Sequence, residues 1–311
     1  MSAQQSGAPL AGVELGGSKC ICILGAGPRD IVARVELPTQ SPEITLREIE
    51  AVLDDWYARE VSFSALGLAA FGPLDLRPES PRFGWIARTV KPGWSDTELL
   101  GRFARRYPLP TGIDTDVNAA ARAEGRWGDA QGLADFVYVT VGTGIGAGVI
   151  INGSPVAGAN HTEVGHIRIV RSPADDFAGV CPFHGDCLEG LAAGPAIAAR
   201  SHGEPARLSA ADPVWGHVAH ALAQLCQTLV LIAAPRRIFL GGGVMVRQPQ
   251  LFAMIRERLQ HSLNHYVGTE ELGAGIDRFI VPPGLGAAAG PLGALAVAAD
   301  QLAGAYGKRS A

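Results

Sequence analysis

The chain has 311 residues, of which 47% are hydrophobic and 18% charged, and its formal net charge is −4. This composition is typical of an ordinary soluble globular protein with room for two domains. A net negative charge without a large basic cluster argues against nucleic-acid binding, because phosphate backbones are recognised by basic surfaces.

The first half of the chain predicts a three-stranded meander followed by helices and strands. A hairpin turns at Gly16-Gly17-Ser18, and Ser41 is expected to cap a helix that begins at Pro42. A buried strand, a helix and a short strand follow, and the short strand ends at the acidic junction Asp114-Thr-Asp116-Val-Asn118, where another helix begins. The predicted ranges are 13–15 and 19–24 for the hairpin, 31–36 for the third strand, 65–71 for the buried strand and 97–107 for the second helix.

The second half again opens on a strand, a glycine turn and a strand, which suggests an ancient duplication. Asn152-Gly153 is a hairpin signal. Asp212 is expected to cap a long, buried helix that starts at Pro213 and is apolar on more than one face. The remaining predicted ranges are 136–140, 147–151, 237–240 and 276–281 for strands, and 250–266 and 286–305 for helices.

The sequence also predicts where the protein resides. The N-terminal residues lack a basic cluster, and the apolar run after them is broken by Glu14 and Lys19, so we expect no signal peptide. We further expect no membrane partner, on the view that no charge-free stretch reaches membrane-spanning length. Five cysteines, an odd number, are typical of a reducing compartment. A cytoplasmic location is therefore expected.

Three glycine-rich turns, at Gly16, Gly142 and Gly241, each follow a predicted strand. Such turns expose backbone N–H groups that suit a phosphate, although a tight hairpin also uses glycine for positive φ alone. Three of them together favour nucleotide binding. The P-loop pattern is absent and the dinucleotide pattern G-x-G-x-x-G fails at Gly142, so a P-loop protein and a Rossmann dehydrogenase are not favoured.

The stretch from Glu163 to Glu189 concentrates metal ligands. Cys181-Pro-Phe-His184-Gly-Asp-Cys187 is a C-x2-H-x2-C motif, and His166 is the expected fourth ligand. Four sulfur and nitrogen donors predict a tetrahedral, structural zinc site, which would also fix the two nearby carboxylates beside a pocket for a ligand with several hydroxyls. The alternatives are buried thiols with surface histidines, or a disulfide. A zinc hydrolase needs an open ligand position, and a nucleic-acid zinc knuckle needs a basic surface.

These motifs resemble those of the ROK sugar kinases over nearly the whole chain. The resemblance is carried by Gly12-Val-Glu14-Leu-Gly16-Gly17-Ser18-Lys19, by Asp116-x-Asn118, by Gly142-Thr-Gly-Ile-Gly146, by Glu163-Val-Gly-His166 with the cysteine motif, and by Gly241-Gly-Gly243. Within that family the chain is most similar to the zinc-containing bacterial fructokinase branch. The segments that carry this similarity are Ala70-Phe-Gly-Pro-Leu-Asp-Leu76, Lys91-Pro-Gly-Trp94 and Asp114-Thr-Asp-Val-Asn118.

The resemblance implies an α/β, actin-like (ribonuclease H-like) duplicated fold of two domains with the active site in a central cleft. The smaller domain would comprise residues 1–115, joined by a C-terminal helix at 287–311, and the larger domain, with the zinc loop, residues 116–286. ATP, Mg²⁺, a structural Zn²⁺ and a homodimer are implied in the same way.

The resemblance also implies roles for individual residues. Asp116 would be the catalytic base, with helix N-capping as its alternative role, and Asp114 would be structural. The chain departs from the family at two positions. Glu14 stands where many relatives have Asp, and this leaves open whether Glu14 contacts magnesium. Thr115 stands where glucokinases have Asn. Substrate binding would fall to Asn118, Glu163, His166 and Glu189, zinc binding to His166, Cys181, His184 and Cys187, and nucleotide or phosphate binding to Gly16, Gly17, Ser18, Lys19, Gly142, Thr143, Gly144, Gly241, Gly242 and Gly243.

The function that follows is an ATP-dependent hexose kinase, with D-fructose to fructose 6-phosphate as the preferred reaction. A kinase for mannose, glucose or an N-acetylated amino sugar is the alternative in the same class. A non-catalytic sugar-binding ROK protein is the alternative in another class. ROK-like repressors carry a helix-turn-helix ahead of the first glycine hairpin, where only about a dozen residues are found here, so DNA binding is not expected.

Overall fold

The computed structural model describes residues 8–58, 62–172 and 174–307. The strands are β1 Leu10–Leu15, β2 Lys19–Gly27, β3 Asp30–Pro38, β4 Leu66–Ala70, β5 Trp85–Ile86, β6 Thr97–Glu98, β7 Thr111–Thr115, β8 Phe136–Val141, β9 Ile145–Ile151, β10 Ser154–Pro155, β11 Ile238–Gly241 and β12 Ile280–Val281. The helices are α1 Pro42–Tyr57, α2 Leu100–Arg106, α3 Asp116–Trp127, α4 Leu188–Ala192, α5 Gly194–Arg200, α6 Pro213–Ala233, α7 Gly242–Arg247, α8 Gln250–Leu263, α9 Ile276–Phe279 and α10 Ala289–Gly307.

The chain forms two compact units. The first consists of 1–131, 157–161 and 287–311, and the second of 132–156 and 162–286. The first unit therefore includes α3, although the sequence analysis placed the domain boundary at residue 116. Helix α3 packs with α10 inside this unit. Helix α10, the described part of the C-terminal helix predicted at 287–311, also lies in the first unit, and residues 308–311 lie outside the described residues.

The two units contain sheets of the same topology. The first sheet has the strand order β3-β2-β1-β4-β7, and the second has the order β10-β9-β8-β11-β12. In each sheet the central strand pairs with an antiparallel hairpin partner on one side and with a parallel strand on the other. In each, the hairpin also carries a glycine turn. This correspondence is the structural form of the duplication suggested by the sequence.

Small residues allow α10 to lie directly on the first sheet. A Cβ atom placed on Gly12 of β1 would lie 2.9 Å from Ala294 Cβ, and one placed on Gly67 of β4 would lie 2.0 Å from the Ala294 carbonyl oxygen. A Cβ on Gly293 would lie 2.4 Å from the carbonyl carbon of Ala119 in α3. The sequence predicted a small-residue helix here, and its contacts with β1, β4 and α3 explain why the residues are small.

Gly67→Ala is expected to destabilise the protein by about 3 kcal/mol, because α10 must move to accept the new methyl group. Gly304→Ala on the same helix is the matched control, since a Cβ there meets no atom within 4 Å. The control is expected to be neutral or stabilising by up to about 1 kcal/mol, as alanine favours helix. Denaturant unfolding of both variants tests this, and equal midpoints would contradict the packing argument.

Several predicted boundaries were wrong. The predicted strand 276–281 begins as the short helix α9, and only Ile280–Val281 pairs with β11. The predicted helix 97–107 starts at Leu100, because residues 97–98 pair with β5. Helix α8 ends at Leu263 and not at 266, since Asn264 takes the left-handed conformation that terminates a helix. Helix α10 begins three residues late, after a 3₁₀ turn at Gly286–Ala288.

The two predicted helix caps differ in their chemistry. Ser41 occupies the N-cap position of α1, but its side chain makes no capping hydrogen bond. Pro42 at the first helical position supplies a preset φ angle instead. Asp212 does cap α6, because its Oδ1 accepts a hydrogen bond of 3.0 Å from the amide of Val214.

Helix α6 contradicts the expectation that no charge-free stretch reaches membrane-spanning length. Residues 213–233 contain no Asp, Glu, Lys or Arg, so a charge-free stretch of membrane-spanning length does exist. Half of the most apolar 18-residue window of this helix is buried. Val218, Leu222 and Leu225 belong to the core between α6, α8 and the second sheet. The helix thus serves as the central core element of the second unit, as its apolar pattern predicted.

Candidate active site

Asp116 lies at the junction between β7 and α3 in the first unit. The preceding residue, Thr115, is the helix N-cap, and its hydroxyl accepts a hydrogen bond of 3.2 Å from the amide of Asn118. Asp116 is the first helical residue, and its Oδ1 accepts from the amide of Val117 at 2.9 Å. Because Thr115 supplies the cap, the alternative role considered for Asp116 is filled by its neighbour. The Oδ1 atom of Asp116 is thus held at the positive end of the helix.

Asp114 is a structural residue, as expected. It is 7% exposed, and its Oδ1 accepts from the Thr115 amide and from Asn118 Nδ2, each at 2.8 Å. Its Oδ2 accepts from Arg122 Nε at 3.1 Å. Asn118, predicted to bind substrate, is 4% exposed and uses Nδ2 for this internal bond. The network fixes the junction that carries Asp116.

Glu14 is a further carboxylate of the first unit, in addition to Asp114 and Asp116. It lies on β1, and a Cβ placed on Gly290 of α10 would lie 2.0 Å from its Oε1. The pKa of Glu14 is raised to about 7, mainly by burial and to a smaller extent by the negative charge of Asp116. A cation bound near Glu14 would favour its ionised form.

The raised pKa makes the stability of the folded protein depend on pH. The folded protein binds the Glu14 proton more tightly than the unfolded chain does, so this group lowers the free energy of unfolding as pH rises from about 4.5 to about 7. Glu14→Gln removes this titration. Its free energy of unfolding, relative to that of the wild type, is expected to increase by about 3 kcal/mol across that interval. Denaturant unfolding at a series of pH values in magnesium-free buffer measures the difference.

Glu36→Gln is the control for this titration. Glu36 lies exposed on β3, and its hydrogen bond from Lys19 lowers its pKa, so its contribution has the opposite sign. The Glu14 prediction is wrong if the unfolding free energies of wild type and Glu14→Gln run parallel from pH 4.5 to pH 7.5.

The second and third glycine turns lie side by side in the second unit. The turn at Gly142 to Gly144 joins β8 to β9, and the Gly142 amide donates to the Gly144 carbonyl at 2.9 Å. The third turn opens α7, and its Gly242 has φ +88°. A Cβ on Gly242 would lie 2.5 Å from the amide nitrogen of Val141 at the end of β8. The third turn therefore requires glycine for close backbone approach, in addition to any ligand.

Glu189 contacts the second glycine turn, which the sequence analysis did not anticipate. Its Oε2 accepts a hydrogen bond of 2.9 Å from the amide of Ile145, and a Cβ on Gly144 would lie 2.6 Å from the same oxygen. The glycine of the Glu-x-Gly-His motif has a related role, because a Cβ on Gly165 would lie 2.0 Å from the Ile145 carbonyl oxygen. The segment that carries Glu163 and His166 is thereby packed against the start of β9.

The four predicted zinc ligands come together. The donor atoms of His166, Cys181, His184 and Cys187 all lie within 4.8 Å of one another. His166 Nδ1 lies 3.5 Å from Cys187 Sγ and 3.8 Å from Cys181 Sγ, and His184 Nδ1 lies 3.7 Å from Cys181 Sγ. A tetrahedral zinc ion with Zn–S of about 2.3 Å and Zn–N of about 2.0–2.1 Å places its donors about 3.4–3.8 Å apart. The donor set and its spacing thus fit zinc.

Both cysteines of the cluster are buried and free of disulfides, so the disulfide alternative is wrong. Burial raises the pKa of the Cys187 thiol to about 11. Gly185 has φ +65° and closes a tight turn in which the Cys181 and Gly185 backbones bond to each other at 3.0 and 2.8 Å. Gly190, which the sequence analysis did not single out, lets α4 approach this turn, since a Cβ there would lie 2.0 Å from the Gly185 carbonyl oxygen.

An arginine network holds the segment that leads into the metal motif. Arg200 of α5 forms a two-pronged ion pair with Asp175, with both distances 2.8 Å, and these side chains are 6% and 8% exposed. Arg168 pairs with Asp186 inside the metal motif. These residues carry no motif signal, because their importance arises from pairing between positions distant in the sequence.

Comparisons with known proteins identify the family. A family model described as "ROK family" matches residues 10–301. The chain belongs to the ROK family. It is 40% identical over 293 residues to a fructokinase of Pediococcus pentosaceus, which covers 94% of this chain and 98% of that protein. It is 41% identical over 293 residues to a fructokinase of Zymomonas mobilis, which covers 92% and 95%.

The crystal structure of a ROK hexokinase from Thermus thermophilus has the same fold. It superposes with a TM-score of 0.75 at 27% sequence identity, over 95% of this chain and 99% of that one. The family prediction made from the motifs is confirmed, and so is the expected α/β, actin-like fold with two sheets of matching topology. The first unit of this ROK protein contains Asp116, Glu14 and one glycine turn, whereas the second contains the four candidate metal ligands, Glu189 and two glycine turns.

Proposed function

We propose that this ROK protein is an ATP-dependent fructokinase that transfers the γ-phosphoryl group of ATP to D-fructose and yields fructose 6-phosphate. The observation that carries the proposal is the similarity of at least 40% identity, over nearly the whole chain, to two fructokinases. The carboxylate of Asp116 at a strand-to-helix junction supports the same conclusion, because phosphoryl transfer needs one group that orients the attacking hydroxyl.

Asp116 is proposed as the base. Its Oδ1 accepts from the Val117 amide, which helps to orient the carboxylate, and the carboxylate is proposed to accept the proton of a sugar hydroxyl as that hydroxyl oxygen attacks phosphorus. The proton passes to the carboxylate, and the bond between the γ-phosphorus and its bridging oxygen breaks, so that ADP leaves with the negative charge. Asn118, Glu163, His166 and Glu189 are proposed to hold the other sugar hydroxyls and to orient the acceptor.

The three glycine turns are proposed to bind the nucleotide. Gly16, Gly17, Ser18 and Lys19 would bind phosphate, as would Gly142, Thr143 and Gly144, and residues 241–243 would lie on the adenosine side. Their backbone amides can neutralise charge without a side chain in the way. Magnesium, bound with the nucleotide phosphates, would supply further charge neutralisation. Whether Glu14 shares in that binding is the question that the sequence left open, and we propose that it does.

The zinc is proposed to be structural. Two histidines and two cysteines complete a tetrahedron and leave no open position for a water molecule, which argues against hydrolase chemistry. His166 belongs to the motif that also carries Glu163, and Cys187 lies two residues before Glu189. Zinc would therefore fix the sugar-binding carboxylates of the second unit. A homodimer and a cytoplasmic location remain proposals, the latter supported by five cysteines that are all free and buried.

A coupled phosphotransfer assay with MgATP tests the proposal. Fructose, mannose, glucose and N-acetylglucosamine are compared as acceptors, and kcat/KM for fructose is expected to exceed the others by at least about tenfold, as for a site built to bind one set of hydroxyls. Greater turnover on one of the other three sugars would assign that kinase instead. Nucleotide binding without turnover on any sugar would favour the non-catalytic, sugar-binding alternative.

A further inference from the structure

The carbonyl groups of the first glycine turn are all hydrogen-bonded within the first unit. Thr39 Oγ1 donates to the Gly16 carbonyl at 2.8 Å, and the Thr39 amide donates to the Ser18 carbonyl at 3.0 Å. The Gly16 amide donates to the Lys19 carbonyl at 3.0 Å. The remaining carbonyl, that of Gly17, accepts from the ammonium group of Lys91.

Fixing these carbonyls also fixes the amides that follow them. The peptide bonds of the turn are trans, the single cis bond among the described residues being Gly72-Pro73. In a trans peptide the C=O and the following N–H point in opposite directions. Thr39 therefore directs the Gly17 N–H, and Lys91 directs the Ser18 N–H. Gly17 and Ser18 are both exposed, and a Cβ on Gly17 would meet nothing within 4 Å, so these two amides are accessible to an anion.

A tight turn positions Lys91 beside the first glycine turn. The Trp94 amide donates to the Lys91 carbonyl at 3.2 Å, and Gly93 at φ +80° follows Pro92, an arrangement typical of a type II turn. Trp94 anchors the turn, because it is fully buried and its Nε1 donates to the Gln40 carbonyl at 2.9 Å. Lys91 is thus held beside the segment that carries Thr39.

The hydroxyl of Thr39 is oriented as well. Cys20 Sγ lies 3.2 Å from Thr39 Oγ1, and burial raises the pKa of the Cys20 thiol to about 11. The thiol is therefore protonated at neutral pH and can donate to Thr39, which leaves the Thr39 proton for the Gly16 carbonyl.

The use of lysine in this chain is selective. Of its 26 basic residues only three are lysine, namely Lys19, Lys91 and Lys308, and the first two meet at this turn. An ammonium group is compact and has three N–H donors, so it can bind a carbonyl and a phosphate oxygen at the same time.

We propose that Lys91 and Thr39 are positioning residues for the nucleotide. They hold the Gly17 and Gly16 carbonyls so that the amides of Ser18 and Gly17 face a phosphoryl group of ATP or ADP. The assignment rests on the proposed phosphotransfer function for the identity of the anion. The orientation of the turn itself follows from the hydrogen bonds.

The test compares Lys91→Met and Thr39→Val with their conservative counterparts, Lys91→Arg and Thr39→Ser. We expect KM for MgATP, and Kd for MgADP measured by calorimetry, to rise roughly ten- to a hundredfold in Lys91→Met and Thr39→Val, as for the loss of one hydrogen bond from a backbone amide to a charged phosphate. In Thr39→Ser both constants should stay within about threefold of wild type. In Lys91→Arg they should rise less than in Lys91→Met. KM for fructose and the thermal midpoint should stay near wild type, which a purely structural role would not produce.

The outcomes separate this inference from the proposed function. If the wild type phosphorylates no sugar but binds MgADP, and Lys91→Met weakens that binding, the inference stands and the fructokinase proposal fails. If the wild type is an active kinase and the nucleotide constants of Lys91→Met and Thr39→Val are unchanged, the inference is overturned and the function stands. A wild type that does not bind MgADP overturns both. If Lys91→Met does not fold, the Thr39→Val and Thr39→Ser pair decides alone.

Discussion

Asp116→Asn is expected to lower kcat by about 10² to 10⁴, the usual contribution of a general base. The substitution removes the negative charge and the proton-accepting oxygen but keeps an oxygen that can accept from the Val117 amide. Because Thr115 caps α3, the start of the helix is retained. The fold, the KM for fructose and the KM for MgATP should therefore change little. Steady-state kinetics with fructose and MgATP, together with a thermal melt, measure these quantities.

Asp300→Asn is the matched control for Asp116. Asp300 lies on α10 and pairs with Arg122 and Arg126, so its replacement also removes a carboxylate of the first unit. The variant is expected to keep kcat within about twofold of wild type. Its free energy of unfolding should fall by at most about 1 kcal/mol, as for the loss of a partly exposed ion pair. Activity of Asp116→Asn within about tenfold of wild type would remove Asp116 from the proposed mechanism.

Cys187→Ala is expected to abolish zinc binding and to raise the KM for fructose at least tenfold. Loss of one of four ligands opens the tetrahedron, and Cys187 lies two residues before Glu189, whose Oε2 is bound to the amide of Ile145. The cost in stability should be on the order of 5 kcal/mol. That is less than for an isolated zinc finger, because the second unit retains its own core. Metal analysis, thermal melts and fructose kinetics give the three readouts.

Cys226→Ala is the control for this variant, because Cys226 is a fully buried cysteine of α6 that belongs to the same core and not to the metal cluster. It should keep about one equivalent of zinc and a normal KM for fructose, while losing about 1–2 kcal/mol to the small cavity. Wild-type protein purified without chelator that holds less than half an equivalent of zinc would count against the metal site as a whole. Zinc retained by Cys187→Ala would remove that residue from the ligand set.

The sequence alone determined the family, the order of the main elements and the histidines and cysteines that lie together as a candidate metal site. These features have short-range causes. The donors of the C-x2-H-x2-C motif lie within seven residues, the meander follows from alternation around Gly16-Gly17-Ser18, and α6 follows from a long apolar pattern after Asp212 and Pro213. Boundaries were less accurate where tertiary pairing overrides local preference, as in 276–281, where only two residues reach a neighbouring strand.

Only the tertiary structure decided which distant residues complete each motif. Lys91 is 74 positions away from the Gly17 carbonyl that it binds, and Glu189 is 44 positions away from the Ile145 amide. No local pattern encodes such a contact, because its partners are brought together by the packing of the sheets and helices between them. The same reason explains Gly67 and Gly165, where glycine is required by an approaching backbone and not by its own φ angle. Residue chemistry was thus predictable from the sequence, whereas the hydrogen bonds that orient it depended on the fold.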